Sequence, residues 1–208
     1  MALRGFETGR RVALLISECQ RGVVEEGLSP FPTLAAQVTQ RGIIGKMAHL
    51  ADAFRAAGLP VFHLHVAHRP DYADVPVNNV ILARSVKHGR MKLGSEDAAS
   101  VDALPVHPSD VLHARSFSLV AFHGTDLDQQ LRNRGISTVV LCGVSSNVAI
   151  PGSALCASDL GYQVVVPEDC IAGATAETHA FSVTQSLPLY STVSDSAAVL
   201  AALDNLRG

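Results

Sequence analysis

Six short apolar runs recur along this chain, and they constrain its fold more than any other feature. A strand with one solvent-exposed face alternates strictly between apolar and polar residues, and these runs do not. Both faces of the sheet are therefore expected to be buried. The runs cover residues 12–16, 61–66, 111–113, 139–142, 164–166 and 190–193. Buried strands separated by helices or long connections predict a six-stranded parallel sheet in an α/β domain.

Five segments between the runs have the pattern of amphipathic or buried helices, with glycines marking several of their ends. They are residues 42–57, 126–134, 148–160, 177–187 and 196–206. Helices on both faces of the sheet make a three-layer architecture, predicted as a single domain over residues 1–208. Two stretches, 22–40 and 67–108, have no regular pattern, and long connections of this kind are often functional lids or oligomer contacts.

The composition excludes several function classes. The net charge is −3 and no run of lysine or arginine occurs, so neither nucleic acid nor a membrane surface is an expected partner. The longest apolar runs are far shorter than the ~20 residues that span a bilayer, and the first residues lack a signal sequence. The four cysteines have no CxxC spacing, which indicates free thiols in a reducing, cytoplasmic compartment. Because no nucleotide-binding glycine motif occurs, no cofactor is expected.

The end of the first strand carries a carboxylate, Glu18, followed closely by Gln20. Ligands of open parallel sheets bind outside the carboxyl ends of the strands, so this position faces the expected cleft. Burial there raises the pKa of a carboxyl group and suits it to acid–base chemistry. A carboxylate that only caps a loop or forms an ion pair is the alternative.

The end of the fourth strand runs into a turn and a helix. Gly143 allows the chain to turn, and Ser146 or Asn147 is expected to cap the helix that follows. Backbone amides at such a helix start can hold an anion or a developing oxyanion. Residues from Ser145 to Ala149 are therefore candidates for contact with a substrate.

Together these motifs resemble the isochorismatase-like (cysteine hydrolase) superfamily, over residues from about Arg11 to Leu206. The landmarks are the first-strand end with Gln20, Gly124-Thr125-Asp126-Leu127-Asp128, Gly143 with Asn147-Val148, and Gly161-Tyr162 followed by Val164-Val165-Val166-Pro167-Glu168-Asp169. The resemblance implies a Rossmann-like fold, homo-oligomers, and a triad of an aspartate after strand one, a lysine after strand three and a cysteine at the start of the strand-four helix.

This chain departs from that triad at every position. Glu18 stands at the aspartate position, Ala149 stands at the cysteine position, and Arg115 is the only permanent cation near the lysine position. An arginine can stabilise an anion but cannot shuttle a proton. Catalysis through a thiol at position 149 is therefore excluded.

The other cysteines and the histidines are assigned to packing. Cys19, Cys142, Cys156 and Cys170 are expected to be small core residues. The resemblance raises a metal site after strand two, where some nicotinamidases place an aspartate and two histidines. His63, His65 and His68 lie there, but the aspartate is missing, so no metal is expected.

Two hypotheses remain open for the function. In the first, Glu18 is the general acid or base in hydrolysis of a vinyl ether, amide or ester bond of a small metabolite, and Arg115 binds a substrate carboxylate. The resemblance supports this, since isochorismatases of the fold lack the cysteine. In the second, the protein is catalytically silent and binds a small molecule or assembles with a partner. The candidate substrate-binding residues are Gln20, Phe117, Phe122, Ser145, Ser146, Asn147, Val148 and Ala149.

Overall fold

A parallel sheet forms the centre of the molecule, whose computed structural model describes residues 3–207, with side chains up to residue 204. The strands are β1 (Val12–Ser17), β2 (Val61–Val66), β3 (Val111–Arg115), β4 (Thr138–Val144), β5 (Gln163–Pro167), β6 (Ile171–Ala172) and β7 (Thr192–Ser194). The strand order is β3-β2-β1-β4-β5-β7, and every pair is parallel. The two-residue β6 pairs with β4 as a seventh strand. The six-stranded parallel sheet predicted from the apolar runs is confirmed, with this short addition.

The two central strands are buried along their whole length. Every residue of β1 and β4 is inaccessible to solvent, because helices cover both faces of the sheet. Alternate side chains of β1 therefore enter two different cores. Leu14 and Ile16 pack in one, while Ala13 and Leu15 pack in the other.

Within residues 3–207, eight α-helices surround the sheet. They are α1 (Arg21–Val24), α2 (Pro32–Arg41), α3 (Ile43–Ala56), α4 (Val80–Lys87), α5 (Leu127–Asn133), α6 (Ala149–Asp159), α7 (Ala176–Phe181) and α8 (Ser196–Arg207). Helices α2, α3 and α8 pack on one face, and α5 and α6 pack on the other, which makes the three layers expected from the sequence. Within the described part of the chain, no helix is long and apolar enough to cross a lipid bilayer.

The stretches without a regular pattern are partly helical, which corrects the sequence analysis. Helices α1 and α2 lie in residues 21–41, and α4 and a 3₁₀ turn, Glu96–Ala98, lie in residues 67–108. Helix α1 has only four residues and α4 has eight, too few turns for a clear helical period.

The chain between α7 and β7 also differs from the prediction. The helix expected over residues 177–187 is α7 followed by a π-helix, Ser182–Ser186, and a 3₁₀ turn, Leu187–Leu189. Pro188, in the first positions of the 3₁₀ turn, has no N–H to continue a helix. The last strand accordingly starts at Thr192, two residues later than expected.

A close approach between β1 and β4 fixes the edge of the sheet where ligands are expected. Gly143 pairs with Ser17 across the two strands and has a φ of +102°. A Cβ atom on Gly143 would lie 2.2 Å from the carbonyl oxygen of Ser17. Only glycine fits here, so the ends of the two strands lie directly side by side.

Replacing Gly143 with alanine is expected to destabilise the fold strongly. Gly161→Ala is the matched control, because Gly161 has a similar φ of +91° with open space around its Cβ position. In both variants the left-handed backbone conformation is expected to lower the free energy of unfolding by about 1–3 kcal/mol. In Gly143→Ala the overlap of the new Cβ atom with Ser17 lowers it by about 1–3 kcal/mol more, the size typical of overpacked cores. Urea unfolding measures the difference. Equal losses in the two variants would contradict the close approach.

Candidate active site

Glu18 lies at the carboxyl end of β1 and lines a cavity of about 180 Å³. Its φ is +55°, a left-handed conformation that few glutamates adopt and that turns the chain out of the strand. Its backbone N–H donates to the carbonyl oxygen of Leu64 at 2.9 Å, which anchors the turn to β2. Among the described residues that line this cavity, Glu18 has the only acidic side chain.

The rest of the cavity wall is mostly apolar and comes from several elements. The apolar lining side chains are Val23, Pro30, Phe31, Leu34, Val66, Ile81, Met91, Val144, Val148 and Ala174. The polar lining residues besides Glu18 are Thr33, Ser85, Arg90, Ser145 and Asn147. Such a wall suits a small ligand that carries few polar groups.

Arg115, at the end of β3, forms a buried ion pair with Glu18. One Nη2–Oε1 contact joins the two side chains, and Arg115 Nε donates to the carbonyl oxygen of Ser118 at 3.0 Å. Burial raises the pKa of Glu18, and the positive charge of Arg115 acts in the opposite direction without cancelling it. Glu18 therefore holds its proton to a higher pH than an exposed glutamate does.

Arg115 lies beside Glu18, close to the predicted site, but it does not line the cavity in which it was expected to meet a substrate carboxylate. Arg115 is 4% exposed and is not among the residues that line the cavity. Its Nη1 atom is buried and has no hydrogen-bond partner in the described chain. The structure thus places Arg115 against the Glu18 carboxyl group and outside the cavity lining, where a substrate carboxylate was expected to meet it.

The turn between β4 and α6 supplies a second side of the cavity. Ser145, Asn147 and Val148 line it, and the Val144–Ser145 peptide bond is cis. The backbone N–H groups of Asn147 and Ala149 have no hydrogen-bond partner among residues 3–207. Of the two residues only Asn147 lines the cavity, so its amide is the donor that a ligand could use. Ala149 is buried and is not among the residues that line the cavity, contrary to its expected contact with a substrate.

The side chains of this turn do not cap α6, contrary to the expectation for Ser146 and Asn147. The N-cap residue is Val148, which has no side-chain oxygen. Asn147 Oδ1 instead accepts a hydrogen bond from the amide of Ala174 at 3.0 Å. Both side chains bind neighbouring elements, so they anchor the turn rather than the helix.

Ser146 begins a chain of polar contacts that runs from beneath the turn to the exposed side chain of Glu168. Its hydroxyl lies 3.2 Å from His179 Nδ1, and His179 Nε2 lies 3.4 Å from a carboxylate oxygen of Glu168. Arg41 pairs with that same carboxylate at 2.9 Å. Burial and the charge of Arg41 lower the pKa of His179. Because Ser146 is fully buried and does not line the cavity, this arrangement supports the turn rather than presenting a nucleophile.

Gln20 is structural in this fold and does not reach the cavity. Its Nε2 donates to the carbonyl oxygens of Val66 and Ala98 at 2.8 and 2.7 Å, and its Oε1 accepts from the Val66 amide at 2.8 Å. The side chain is fully buried. It therefore joins the end of β1 to β2 and to the 3₁₀ turn. The prediction that Gln20 binds substrate is wrong.

The two phenylalanines expected at the site also lie elsewhere. Phe122 packs in the core on the α5–α6 face, with its ring 6.1 Å from that of Tyr162. Phe117 lines a separate surface pocket that includes Val120 and His123. Neither ring is among the residues that line the cavity containing Glu18.

The sequence analysis missed the residues that the 67–108 stretch brings to the cavity. Ile81 and Ser85 come from α4, and Arg90 and Met91 follow it. That stretch was a candidate lid, but no periodic pattern indicates which of its side chains face inward. Arg90 is the only positively charged residue among the lining residues.

No cysteine lines the cavity, and no metal cluster is found within the described range. Burial raises the thiol pKa of Cys19 and of Cys142, which keeps these thiols protonated. His63 contacts Asp110 at 3.0 Å, and His65 contacts Ser100 at 3.1 Å. Over residues 3–207, no three histidine, cysteine or acidic side chains converge to hold a metal ion.

Comparison with known proteins identifies similar sequences. Residues 12–198 match the family described as Isochorismatase domain. The uncharacterized isochorismatase family protein YecD of Escherichia coli O157:H7 is 34% identical over 188 residues, which cover 86% of this chain and 92% of that protein. Maleamate amidohydrolase of Pseudomonas putida is 27% identical over 173 residues, covering 82% of this chain and 76% of that protein.

Solved structures show the same architecture. An isochorismatase family protein from Burkholderia thailandensis has a TM-score of 0.79 and 33% identity, with 98% of each chain covered. An isochorismatase family protein from Desulfovibrio vulgaris has a TM-score of 0.81 and 27% identity, covering 96% of this chain and 99% of that one. The sheet and its helices therefore follow those of known proteins along nearly the whole chain.

The structural role of Gln20 predicts a large loss of stability in Gln20→Leu. Each buried backbone group left without a partner costs about 1–3 kcal/mol, so the free energy of unfolding is expected to fall by about 3 kcal/mol or more. Gln129→Leu, on the exposed surface of α5, is the control and should change it by no more than about 0.5 kcal/mol. A Gln20→Leu protein as stable as this control would show that the three hydrogen bonds are not formed.

Proposed function

The chain belongs to the isochorismatase domain family, and from this we propose that it hydrolyses a small metabolite with Glu18 as the general acid and base and without a cysteine nucleophile. One observation carries the proposal. Glu18 is the only acidic side chain lining the cavity, and burial raises its pKa. A group whose pKa lies closer to neutrality transfers protons more effectively in both directions.

For an amide or ester substrate, the ionised Glu18 carboxylate removes a proton from water as the water oxygen attacks the carbonyl carbon. The negative charge that develops on the carbonyl oxygen is stabilised by the free amide of Asn147, which lines the cavity. Glu18 then returns its proton to the leaving nitrogen or oxygen as the bond breaks. Similarity to maleamate amidohydrolase, whose name denotes an amide-hydrolysing activity, supports this version.

For a vinyl ether substrate, Glu18 acts first as an acid. The protonated carboxyl group transfers its proton to the terminal carbon of the double bond. Water then adds to the resulting cation, and the Glu18 carboxylate takes a proton back from that water. The hemiketal or hemiacetal formed then breaks to a carbonyl compound and an alcohol. Burial supports this version by holding the Glu18 proton to a higher pH.

The ion pair with Arg115 favours a second candidate function. An arginine that holds Glu18 permanently ionised would leave a cavity suited to binding and not to proton transfer. The protein would then bind a small molecule without catalysing a reaction, which is the second hypothesis of the sequence analysis. Activity and ligand binding measured in the same Glu18 variants separate the two functions.

Glu18→Gln is expected to abolish hydrolysis, with at least about a 100-fold loss, because the amide has the same shape but transfers no proton. Proton NMR follows maleamate, other small amides, esters and enol ethers incubated with the protein. Glu18→Asp should retain part of the activity, and Glu26→Gln, an exposed site outside the cavity, should retain all of it. Full turnover by Glu18→Gln would contradict the proposal, and ligand binding without turnover in the wild type would favour the silent member.

The pH profile of amide or ester hydrolysis tests the role of Arg115. In that reaction the ionised Glu18 is the active form, so activity rises as the pH passes through its pKa. Arg115 opposes the effect of burial, and Arg115→Met should move this limb upward by about 1–3 pH units, the range typical for a carboxylate that loses an arginine partner. Arg115→Lys keeps the charge and should move it less. An unchanged profile in Arg115→Met would show that Arg115 does not control Glu18.

A further inference from the structure

We propose that Arg11 and Arg134 bind the phosphate group of a small molecule at a second site, on the edge of the sheet where the strands begin. A pocket of about 370 Å³ lies at this edge. Its lining includes Arg11 before β1, Pro60 before β2, Asp110 before β3 and Arg134 before β4. We call it the amino-end pocket. Glu18 follows β1, at the other end of that strand, so this inference does not rest on the proposed hydrolysis.

The charges that line the amino-end pocket do not balance. Three arginines, Arg11, Arg55 and Arg134, line it with one carboxylate, that of Asp110. Arg55 is neutralised, because it donates to both oxygens of Asp110 at 3.0 and 2.7 Å and to Asp52 at 2.8 Å. In the described part of the chain, neither Arg11 nor Arg134 has an ion-pair partner. Two positive charges therefore face one pocket, and an anion between them would relieve their repulsion.

The backbone holds Arg11 against the turn that carries Arg134. The carbonyl oxygen of Arg11 accepts hydrogen bonds from the amides of Ser137 and Thr138 at 2.9 and 3.1 Å. A Cβ atom on Gly135 would lie 3.5 Å from Arg11 Cδ, so the Arg11 side chain runs over this glycine. Because Gly135 directly follows Arg134, both guanidinium groups reach the same pocket.

Arg134 is held in place while part of its guanidinium group stays free. Its guanidinium carbon lies 5.4 Å from the centre of the Phe62 ring, which is fully buried, and its Nη1 donates to the carbonyl oxygen of Gln130 at 2.9 Å. Within residues 3–207, Arg134 Nε and Nη2 have no hydrogen-bond partner. These two nitrogens can donate side by side to two oxygens of one phosphate group.

The carboxylate of Asp110 does not oppose an anion in this pocket. Besides the two hydrogen bonds from Arg55, its Oδ2 accepts from the His107 amide at 3.0 Å and contacts His63 Nε2 at 3.0 Å. Burial opposes ionisation of Asp110, but these hydrogen bonds outweigh it and lower its pKa. The Asp110 side chain is only 1% exposed. An incoming anion therefore meets a carboxylate whose charge is already matched.

Two free guanidinium groups fit a tetrahedral dianion better than a single carboxylate. Each can bind two oxygens, and a phosphate group presents oxygens in several directions. Leu59 and Pro60 line the same pocket and can cover a small apolar body attached to the phosphate. Free inorganic phosphate and a phosphate monoester present the same group to the arginines, so both enter the test.

Backbone amide chemical shifts locate the binding site. The wild type is titrated with inorganic phosphate, with phenyl phosphate and with chloride at matched ionic strength, because chloride reproduces the screening effect alone. Both phosphate compounds should give saturable shifts at Gly58, Leu59 and Gly135, and chloride should not. The amides of Glu18 and Asn147, in the other cavity, should not move. Tighter binding of phenyl phosphate would identify a monoester as the ligand, and tighter binding of inorganic phosphate would identify the free anion.

Matched variants separate direct contact from general electrostatics. Arg11→Gln and Arg134→Gln should each weaken phosphate binding about 10-fold or more, because each removes charge-assisted hydrogen bonds, and the double variant should abolish it. Arg11→Lys keeps the charge and should lose less. Lys87→Gln removes a positive charge from the exposed surface of α4, outside the amino-end pocket, and should bind phosphate as the wild type does.

The outcomes that overturn the inference are distinct from those that overturn the proposed hydrolysis. Equal shifts with phosphate and chloride, or phosphate affinity that the double variant leaves unchanged, would show an adventitious ion only. Glu18→Gln should bind phosphate as the wild type does, even though it should not hydrolyse any substrate. Phosphate binding in a protein without hydrolysis would support the amino-end pocket and reject the hydrolase.

Discussion

The complete burial of β1 and β4 determines where functional side chains can lie in this protein. Both strands have apolar cores on each side, so their interior positions hold apolar or small side chains, and the hydroxyl residues Ser17 and Thr138 stand at strand ends. The contact between Gly143 and the Ser17 carbonyl brings those two ends together. Glu18 and the residues Ser145, Asn147 and Val148 of the turn consequently line one cavity.

Two opposing electrostatic effects then set the behaviour of Glu18. Removal from water favours the protonated carboxyl group, and the neighbouring Arg115 favours the ionised one. Arg115 pairs with Glu18 but does not line the cavity. Arg90 lines the cavity and is held by Leu28 and Asp97. The two arginines therefore occupy different positions relative to the cavity.

The part of the site that depends on the sheet was predicted from the rule that ligands bind at the carboxyl ends of parallel strands. Glu18 and the turn after β4 follow from where buried runs stop, whereas Arg115 was singled out by the family resemblance. The structure brings Glu18 to Arg115 and to the cavity formed with that turn. Gln20 was misplaced because sequence proximity to Glu18 does not reveal that Val66 and Ala98 occupy its amide group. Arg90 could not be found, since its inward position depends on tertiary packing of a connection without a periodic pattern.

The protonation of Glu18 in the folded protein is the most direct test of this account. A pH titration of its side-chain carboxyl carbon by ¹³C NMR, assigned by comparison with Glu18→Gln, measures its pKa without any substrate. The account predicts a midpoint above the value of about 4.3 that is typical of an exposed glutamate. A midpoint at or below that value would show that the ion pair with Arg115 prevails and that Glu18 is not poised for proton transfer.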